Sequence, residues 1–137
     1  MQNASSALCD TGPLVALYSS HDRAQDQCRA ALDAYRGKLL TTWPVITEAI
    51  HLLPRQDHRE LLWELILRAG VEIVPIELPD IKRIHDLMAK YANVRMDLAD
   101  ASSVAVAERL RLRSIFTLDS HFRIYRPRVI RHFEVFP

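Results

Sequence analysis

The chain is poor in glycine and cysteine and lacks long apolar runs. Its 137 residues include three glycines and two cysteines, which excludes a Gly-rich linker, a disulfide framework and a zinc site with paired cysteine spacing. No apolar run approaches the roughly 20 residues that span a bilayer, and the first residues do not have the pattern of a secretory signal. We therefore expect a soluble, cytoplasmic protein with no membrane segment.

The chain also lacks an excess of charge of either sign. Eighteen Lys and Arg against 17 Asp and Glu give a formal net charge of +1, so attraction to nucleic acid would depend on uneven placement. The last quarter, 101–137, has seven arginines, no lysine and three acids. Because the planar guanidinium group matches phosphate oxygens, this segment is compatible with a polyanionic partner, although a solvated surface is the commoner reason for such charge.

Short apolar runs alternate with stretches of helical periodicity. The predicted strands are 7–9, 39–40, 71–76 and 114–118, with a further edge strand within 129–136. The predicted helices are 14–18, 22–35, 45–53, 58–69, 79–91 and 98–112. Strands separated by helices favour a parallel sheet covered on both faces. We therefore expect one three-layer α/β/α domain over residues 1–137 with a mostly parallel central sheet.

Acidic residues follow the predicted strands or stand at helix starts. Asp10 and Asp119 come directly after an early and a late strand, and Glu48 lies one turn into the helix that follows the second strand. Asp97 and Asp100 lie at the start of the helix before Asp119. Since the carboxyl ends of parallel strands meet at one edge of the sheet, four segments are expected to bring carboxylates to one place.

Clustered carboxylates repel one another unless they are protonated, paired or bound to a cation. Mg²⁺ or Mn²⁺ suits oxygen ligands and retains water that can attack a phosphodiester. Taken singly, each acid has a simpler interpretation as a turn former, a helix cap or a solvated residue, and only the joint pattern favours a site. We expect Asp100 to point inward with Ala101 and Val104, and Asp97 to be peripheral.

Other residue types give weaker signals. The histidines lack the spacing of a helical metal pair, and His21 is predicted to lie in a loop. Trp43 and Trp63 adjoin helical apolar positions, so we predict that they pack in the interior and do not stack on nucleobases. The sequence has neither a Gly-rich phosphate loop nor the local motif of a serine nucleophile.

Four segments in order resemble the motifs of PIN-domain ribonucleases, and within them the VapC-type toxins of bacterial toxin–antitoxin pairs. These segments are LCDT at 8–11, VITEA at 45–49, LADASSV at 98–104 and FTLDSHF at 116–122. Each motif is short and degenerate, but four in this order over almost the whole chain are fairly specific. One departure is Gly12, where the family usually has Ser or Ala.

The resemblance implies hydrolysis of RNA phosphodiester bonds by water at a site with Mg²⁺ or Mn²⁺. It implies that Asp10, Asp100 and Asp119 anchor the cation and that Glu48 binds it or orients a water, with Asp97 outside this set. Supporting contacts are expected from Thr11, Thr117 and Ser120, and phosphate contacts from Arg109, Arg113 and Arg123.

The resemblance further implies a homodimer restrained by a cognate antitoxin. Two other interpretations remain open at this point. One is a catalytically silent PIN-like adaptor that binds RNA. The other is a phosphoryl-transfer domain with Asp10 as the nucleophile, which fits poorly because such phosphatases usually have a second acid where this chain has Gly12.

Overall fold

The computed structural model describes residues 5–19 and 23–137. The strands are β1 (Ser6–Cys9), β2 (Lys38–Thr41), β3 (Glu72–Ile73), β4 (Ser114–Phe116) and β5 (Glu134–Phe136). The α-helices are α1 (Thr11–Tyr18), α2 (Gln25–Ala34), α3 (Trp43–Leu52), α4 (Gln56–Leu67), α5 (Leu78–Lys90) and α6 (Leu98–Leu110), with short 3₁₀ helices at Ala92–Val94 and Ser120–Arg123. The predicted loop at His21 and the start of the predicted helix 22–35 lie outside the described residues.

The described strands form one parallel sheet in the order β3-β2-β1-β4-β5. At its centre, Leu8 of β1 lies between Leu40 and Ile115 of the neighbouring strands. Because successive side chains of a strand point to opposite faces, Leu8 packs into one apolar cluster and its neighbours Ala7 and Cys9 into another.

These two clusters define the layers of the domain. Leu14, Cys28, Val45 and Leu62 bring α1, α2, α3 and α4 to the face of Ala7. On the other face, Leu8 packs in one cluster with side chains of α5 and α6, including Ile84 and Val104. The expected α/β/α architecture is confirmed. No helix among residues 5–19 and 23–137 is long and apolar enough to cross a membrane.

Two predicted strands differ from the structure at their ends. The 71–76 run is buried at Val71 and Val74, but the edge strand covers only Glu72–Ile73. The Val74 amide adds one bond to the Thr41 carbonyl at 2.8 Å, and the pairing stops at Pro75, which has no N–H to donate. The tail forms a strand only over Glu134–Phe136, because Val129 and Arg131 have φ values of 70° and 69°, which no strand accommodates.

Candidate active site

A cavity of about 360 Å³ lies beyond the carboxyl ends of β1 and β4. Its lining residues are Asp10, Thr11, Gly12, Val15, Glu48, Leu52, Asp97, Asp100, Leu118 and Asp119. The structure therefore brings together every acidic residue that the sequence placed at this edge of the sheet. Gly12 fits closely here, since a Cβ at this position would lie 3.3 Å from the Cβ of Leu118.

Thr117 fixes the two acids that follow strands. The Asp10 amide extends the sheet pairing by donating to the Phe116 carbonyl at 2.9 Å, and the Thr117 hydroxyl donates to Asp10 Oδ2 at 2.7 Å. The Thr117 Oγ1 in turn accepts the Asp119 amide at 3.0 Å. Asp119 Oδ1 caps the following 3₁₀ helix by accepting the His121 amide at 2.8 Å. One hydroxyl thus connects the two carboxylate positions.

Asp97 and Asp100 form a reciprocal capping box at the start of α6. Asp97 Oδ1 accepts the Asp100 amide at 2.8 Å, and Asp100 Oδ2 accepts the Asp97 amide at 3.3 Å. The Tyr125 hydroxyl donates to Asp100 Oδ2 at 3.3 Å. Asp100 is 8% exposed whereas Asp97 is exposed, so the predicted inward orientation of Asp100 is confirmed, and Asp97 stands at the rim.

The remaining polar residues of the cavity wall come from α1 and α3. Glu48 is half-buried on α3. Thr11 is 5% exposed, and its hydroxyl has no hydrogen-bond partner among the described residues. A buried hydroxyl without a partner is costly unless something polar binds it. A side-chain contact from Thr11 opposes the rise in the pKa of Glu48, so the Thr11 hydroxyl lies beside Glu48 and can donate to it or to a water in this cavity.

Burial and mutual repulsion disfavour the charged forms of these acids. Burial raises the pKa of Asp10 to about 6, against the opposing hydrogen bond from Thr117 and with additional repulsion from Asp119 and Glu48. The pKa of Asp100 rises to about 8, first through burial and then through the charges of Asp97 and Asp10. The pKa of Glu48 is also raised, mainly by burial. The raised pKa values show that nearby positive charges and hydrogen bonds do not fully compensate the negative charge of these acids.

The donor set fits a hard divalent cation. Within the described part of the chain, no Lys or Arg lines the cavity or pairs with its acids, and the acidic donors are all carboxylate oxygens, which Mg²⁺ and Mn²⁺ prefer. Among the described residues, no three His, Cys, Asp or Glu side chains lie close enough together to hold a metal ion in their present positions. In this arrangement one oxygen of each of Asp97, Asp100 and Asp119 accepts a backbone amide, while all three residues line the cavity.

The predicted phosphate-binding arginines occupy three different places. Arg123 lines a smaller cavity of about 200 Å³ with Thr117 and Ser120. Leu118 and Asp119 line both this cavity and the acidic one. Arg109 instead binds Asp80 Oδ2 at 3.0 Å and the Pro75 carbonyl at 2.7 Å. Arg113 precedes β4 and so lies at the amino end of the sheet, opposite the acids.

This placement corrects the predictions for Arg109 and Arg113. The guanidinium group of Arg109 joins α5 to α6 through Asp80, and Arg113 is separated from Asp119 by the length of β4. Of the three, Arg123 alone lies beside the carboxylates. The chain direction of β4 was sufficient to exclude Arg113, because a residue before a parallel strand cannot lie at its carboxyl end.

Two further residues of this region were missed or misjudged from sequence. Tyr125 is fully buried and contacts Asp100; its spacing of three from the buried Phe122, within the arginine-rich tail, was the available signal. The prediction that Trp43 packs in the interior is wrong, since it is 52% exposed. Because α3 begins at Trp43 and buries Val45, Ile46 and Ala49, the indole projects from the opposite side of the helix.

Comparison with known proteins is consistent with this geometry. A family model described as PIN domain matches residues 7–126. The ribonuclease VapC26 of Mycobacterium tuberculosis (strain ATCC 25618 / H37Rv) is 25% identical over 134 residues, which span 95% of this chain and 99% of that protein.

Two solved structures share the fold. The crystal structure of Mycobacterium tuberculosis VapC20, described as a sarcin-ricin loop cleaving toxin, superposes with a TM-score of 0.77 at 17% identity, over 85% of this chain and 91% of that one. A chain of a toxin–antitoxin complex from Klebsiella pneumoniae gives 0.63 at 24% identity, over 83% and 87%.

Proposed function

Because the chain belongs to the PIN domain family, we propose that it is a VapC-type endoribonuclease that hydrolyses RNA with Mg²⁺ or Mn²⁺. The observation that carries the proposal is the convergence of Asp10, Glu48, Asp100 and Asp119 on one cavity that no Lys or Arg of the described residues neutralises. A curated relative that aligns over nearly its full length is a ribonuclease, which supports the same activity.

The carboxylates of Asp10, Asp100 and Asp119 would hold the cation. When bound, the metal lowers the pKa of a coordinated water and stabilises the charge that develops on the phosphate. Glu48, half-buried in the wall of the same cavity, would orient a water or help to hold the cation. Asp97 at the rim contributes negative charge and caps α6.

Two hydroxyl groups hold two of these carboxylates in place, and a third lies beside Glu48. Thr117 holds Asp10 through its hydroxyl, and Tyr125 holds Asp100. The buried Thr11 hydroxyl lies beside Glu48 and lowers its pKa. Fixing each carboxylate beforehand reduces the reorganisation that metal binding requires.

The RNA strand is expected to lie across the acidic cavity and reach the neighbouring cavity of Arg123 and Ser120. Arg123 would bind a flanking phosphate there, with Ser120 close to the same position. A single-stranded or looped region suits this open edge, since its phosphates and bases are both accessible.

The protein is expected to act as the toxin of a pair in the cytoplasm, where RNA is accessible. A structural neighbour comes from a toxin–antitoxin complex, which supports a protein antitoxin as partner. We further propose that the toxin is a homodimer, a state that sedimentation of the purified protein tests.

Asp10→Asn and Asp100→Asn test the activity directly. Each should abolish Mg²⁺-stimulated cleavage of RNA, measured on gels with labelled RNA, while the protein remains folded. Asp86→Asn makes the same chemical change at a partly exposed position on α5, outside the acidic cavity and paired with Lys82, and should cleave like the wild type. Cleavage by the Asp10 and Asp100 variants at the wild-type rate would refute the assignment.

Calorimetric titration with Mn²⁺ separates the nuclease from a silent RNA-binding adaptor. The nuclease should take up Mn²⁺ at a saturable site, and this uptake should disappear in Asp10→Asn. An adaptor would bind RNA but show no specific uptake at millimolar Mn²⁺.

A further inference from the structure

A second, mainly apolar cavity of about 530 Å³ borders the acidic one. Its lining residues are Trp43, Pro44, Thr47, Glu48, His51, Asp97, Leu98 and Ala99. Glu48 and Asp97 line both cavities. A molecule bound over the carboxylates can therefore extend directly into the apolar space.

Trp43 lines this cavity from the first turn of α3. The indole is 52% exposed, and Leu98 beside it is 51% exposed. The Thr47 hydroxyl donates to the Trp43 carbonyl at 2.9 Å, which fastens the first turn of α3. Large apolar side chains exposed together usually mark a binding surface.

We propose that this cavity binds the nucleobase adjacent to the scissile phosphate, stacked on Trp43. The inference rests on the proposed ribonuclease activity and adds a specificity site to it. With the phosphate over the carboxylates, the base of the same nucleotide reaches the neighbouring cavity. Unpaired bases stack readily on exposed aromatic rings, and the volume lies in the range of small-ligand pockets.

The charge at the shared wall favours a nucleobase over a second copy of this chain. The carboxylates of Glu48 and Asp97 can accept hydrogen bonds from the amino groups of a neutral base. A symmetric dimer through this patch would instead enclose Glu48 and Asp97 of both copies in one mainly apolar interface, with only the two His51 side chains to offset four carboxylates. His51 at the edge is the one ionisable group of opposite sign that the cavity lining offers.

Fluorescence of Trp43 itself provides the test. The chain has two tryptophans, so Trp63→Phe leaves Trp43 as the sole indole, and Asp10→Asn in the same chain keeps the RNA intact in Mg²⁺. A short single-stranded RNA and a series carrying one abasic position each are titrated into this protein. Stacking should quench the fluorescence, and one abasic position should weaken binding by roughly 5- to 150-fold.

Trp43→Ala in the Asp10→Asn background provides the complementary measurement, by anisotropy of labelled RNA. Trp43→Ala should weaken the binding of intact RNA about as much as the abasic position weakens the binding of RNA to the parent protein. Binding of the abasic RNA to Trp43→Ala should be only slightly weaker than either. Leu67→Ala, which trims an exposed leucine at the end of α4, should bind like its parent. Equal affinity for all abasic RNAs, or unchanged affinity in Trp43→Ala, would overturn the proposal.

Sedimentation tests the alternative occupant of the cavity, a second copy of this chain. If Trp43→Ala converts an oligomer to a monomer and removal of the base has no effect, the cavity is an interface between copies and the proposal fails. Cleavage by the otherwise wild-type Trp43→Ala protein separates this failure from that of the ribonuclease itself. Unchanged kcat/KM at every site would discard the base site alone, whereas a wild-type protein that cleaves no RNA would discard the proposed activity.

Discussion

At the scale of single residues, the Thr117 hydroxyl has the most connected position in the site. It donates to Asp10 and accepts from the Asp119 amide, so two carboxylates depend on one oxygen atom. Replacing it removes a hydrogen bond to a buried acid and leaves an amide to find another partner.

Thr117→Val should therefore lower the free energy of unfolding by about 2 kcal/mol, the usual range for a hydrogen bond to an ionisable group. It should also raise the pKa of Asp10 further, because the Thr117 hydrogen bond is what opposes the effect of burial. Urea unfolding measures the first effect. Thr117→Ser keeps the hydroxyl and should retain most of the stability; equal losses in both variants would contradict this role.

The raised pKa of Asp100 predicts how the metal-free protein responds to pH. Folding raises this pKa from its usual value near 3.8 to about 8, so between these values the folded state binds more protons than the unfolded state. The stabilising contribution is complete below about pH 4 and is lost as pH rises through about 8.

Thermal unfolding in EDTA between pH 5 and 8 tests this sign. The wild type should become less stable over that range, and Asp100→Asn, which cannot ionise, should lose less stability than the wild type. Asp86→Asn should follow the wild type. Identical pH profiles for the wild type and Asp100→Asn would show that Asp100 is already ionised in the folded protein.

At the scale of elements, the contact between α5 and α6 depends on arginines that face inward. Arg109 binds Asp80, whose side chain is 6% exposed and which also caps α5 by accepting the Glu77 amide. Arg83 forms a paired contact with Glu108. These arginines therefore belong to the joint between the two helices.

Arg109→Ala should destabilise the fold by about 3 kcal/mol, because it leaves the Asp80 carboxylate buried without its partner. Arg55→Ala, which breaks an exposed pair with Asp57, should change stability far less, because water and salt screen such a pair. Chemical denaturation compares the two. A loss in Arg109→Ala no larger than in Arg55→Ala would show that the joint does not need this pair.

For RNA binding, we expect Arg123 to matter and Arg109 not to. Arg123→Ala should reduce the slope of log affinity against log salt by about 0.7, the value for one phosphate contact on a single strand. Arg109→Ala should leave the slope unchanged. Anisotropy at several salt concentrations, in the Asp10→Asn background, measures both; a reduced slope in Arg109→Ala would restore it as a phosphate contact.

Sequence predicted helices better than strand ends, for a physical reason. The periodicity of α5 and the start of α6 gave their bounds closely, since apolar spacing reports directly which side of a helix is buried. Apolar runs report burial but not pairing, so Val71 and Val74 were predicted within a strand although they lie outside β3. The positive φ values of Val129 and Arg131 left no trace in residue type.

The candidate site shows the same division. The meeting of the acids could be predicted because the carboxyl ends of parallel strands lie at one edge of the sheet, independently of how side chains pack. The orientation of Trp43 and the contact of Tyr125 with Asp100 depend on helix starts and on packing between distant segments, which local spacing does not determine. The sequence also does not show that Arg123 lies beside the carboxylates whereas Arg109 pairs with Asp80 between α5 and α6.

At the scale of the whole molecule, the repulsion among the acids predicts that a divalent cation bound between them would stabilise the folded state. A ligand that binds only the folded state adds about 2.7 kcal/mol at a concentration one hundred times its Kd. Mn²⁺ should therefore raise the Tm of the wild type by several degrees in calorimetry. Asp10→Asn should show little of this increase and Asp86→Asn all of it; an equal response in the three proteins would mean that Mn²⁺ binds elsewhere.

The central position of β1 between β2 and β4 has a consequence during protein synthesis. Asp10 emerges from the ribosome early, but the Thr117 hydroxyl that holds it lies 107 positions later. A nascent polypeptide, or one ended early by a stop codon, would carry the first acids without the strand that completes their setting. If the chain is a ribonuclease as proposed, the RNA of the cell would therefore be open to cleavage only once translation of the chain is almost finished.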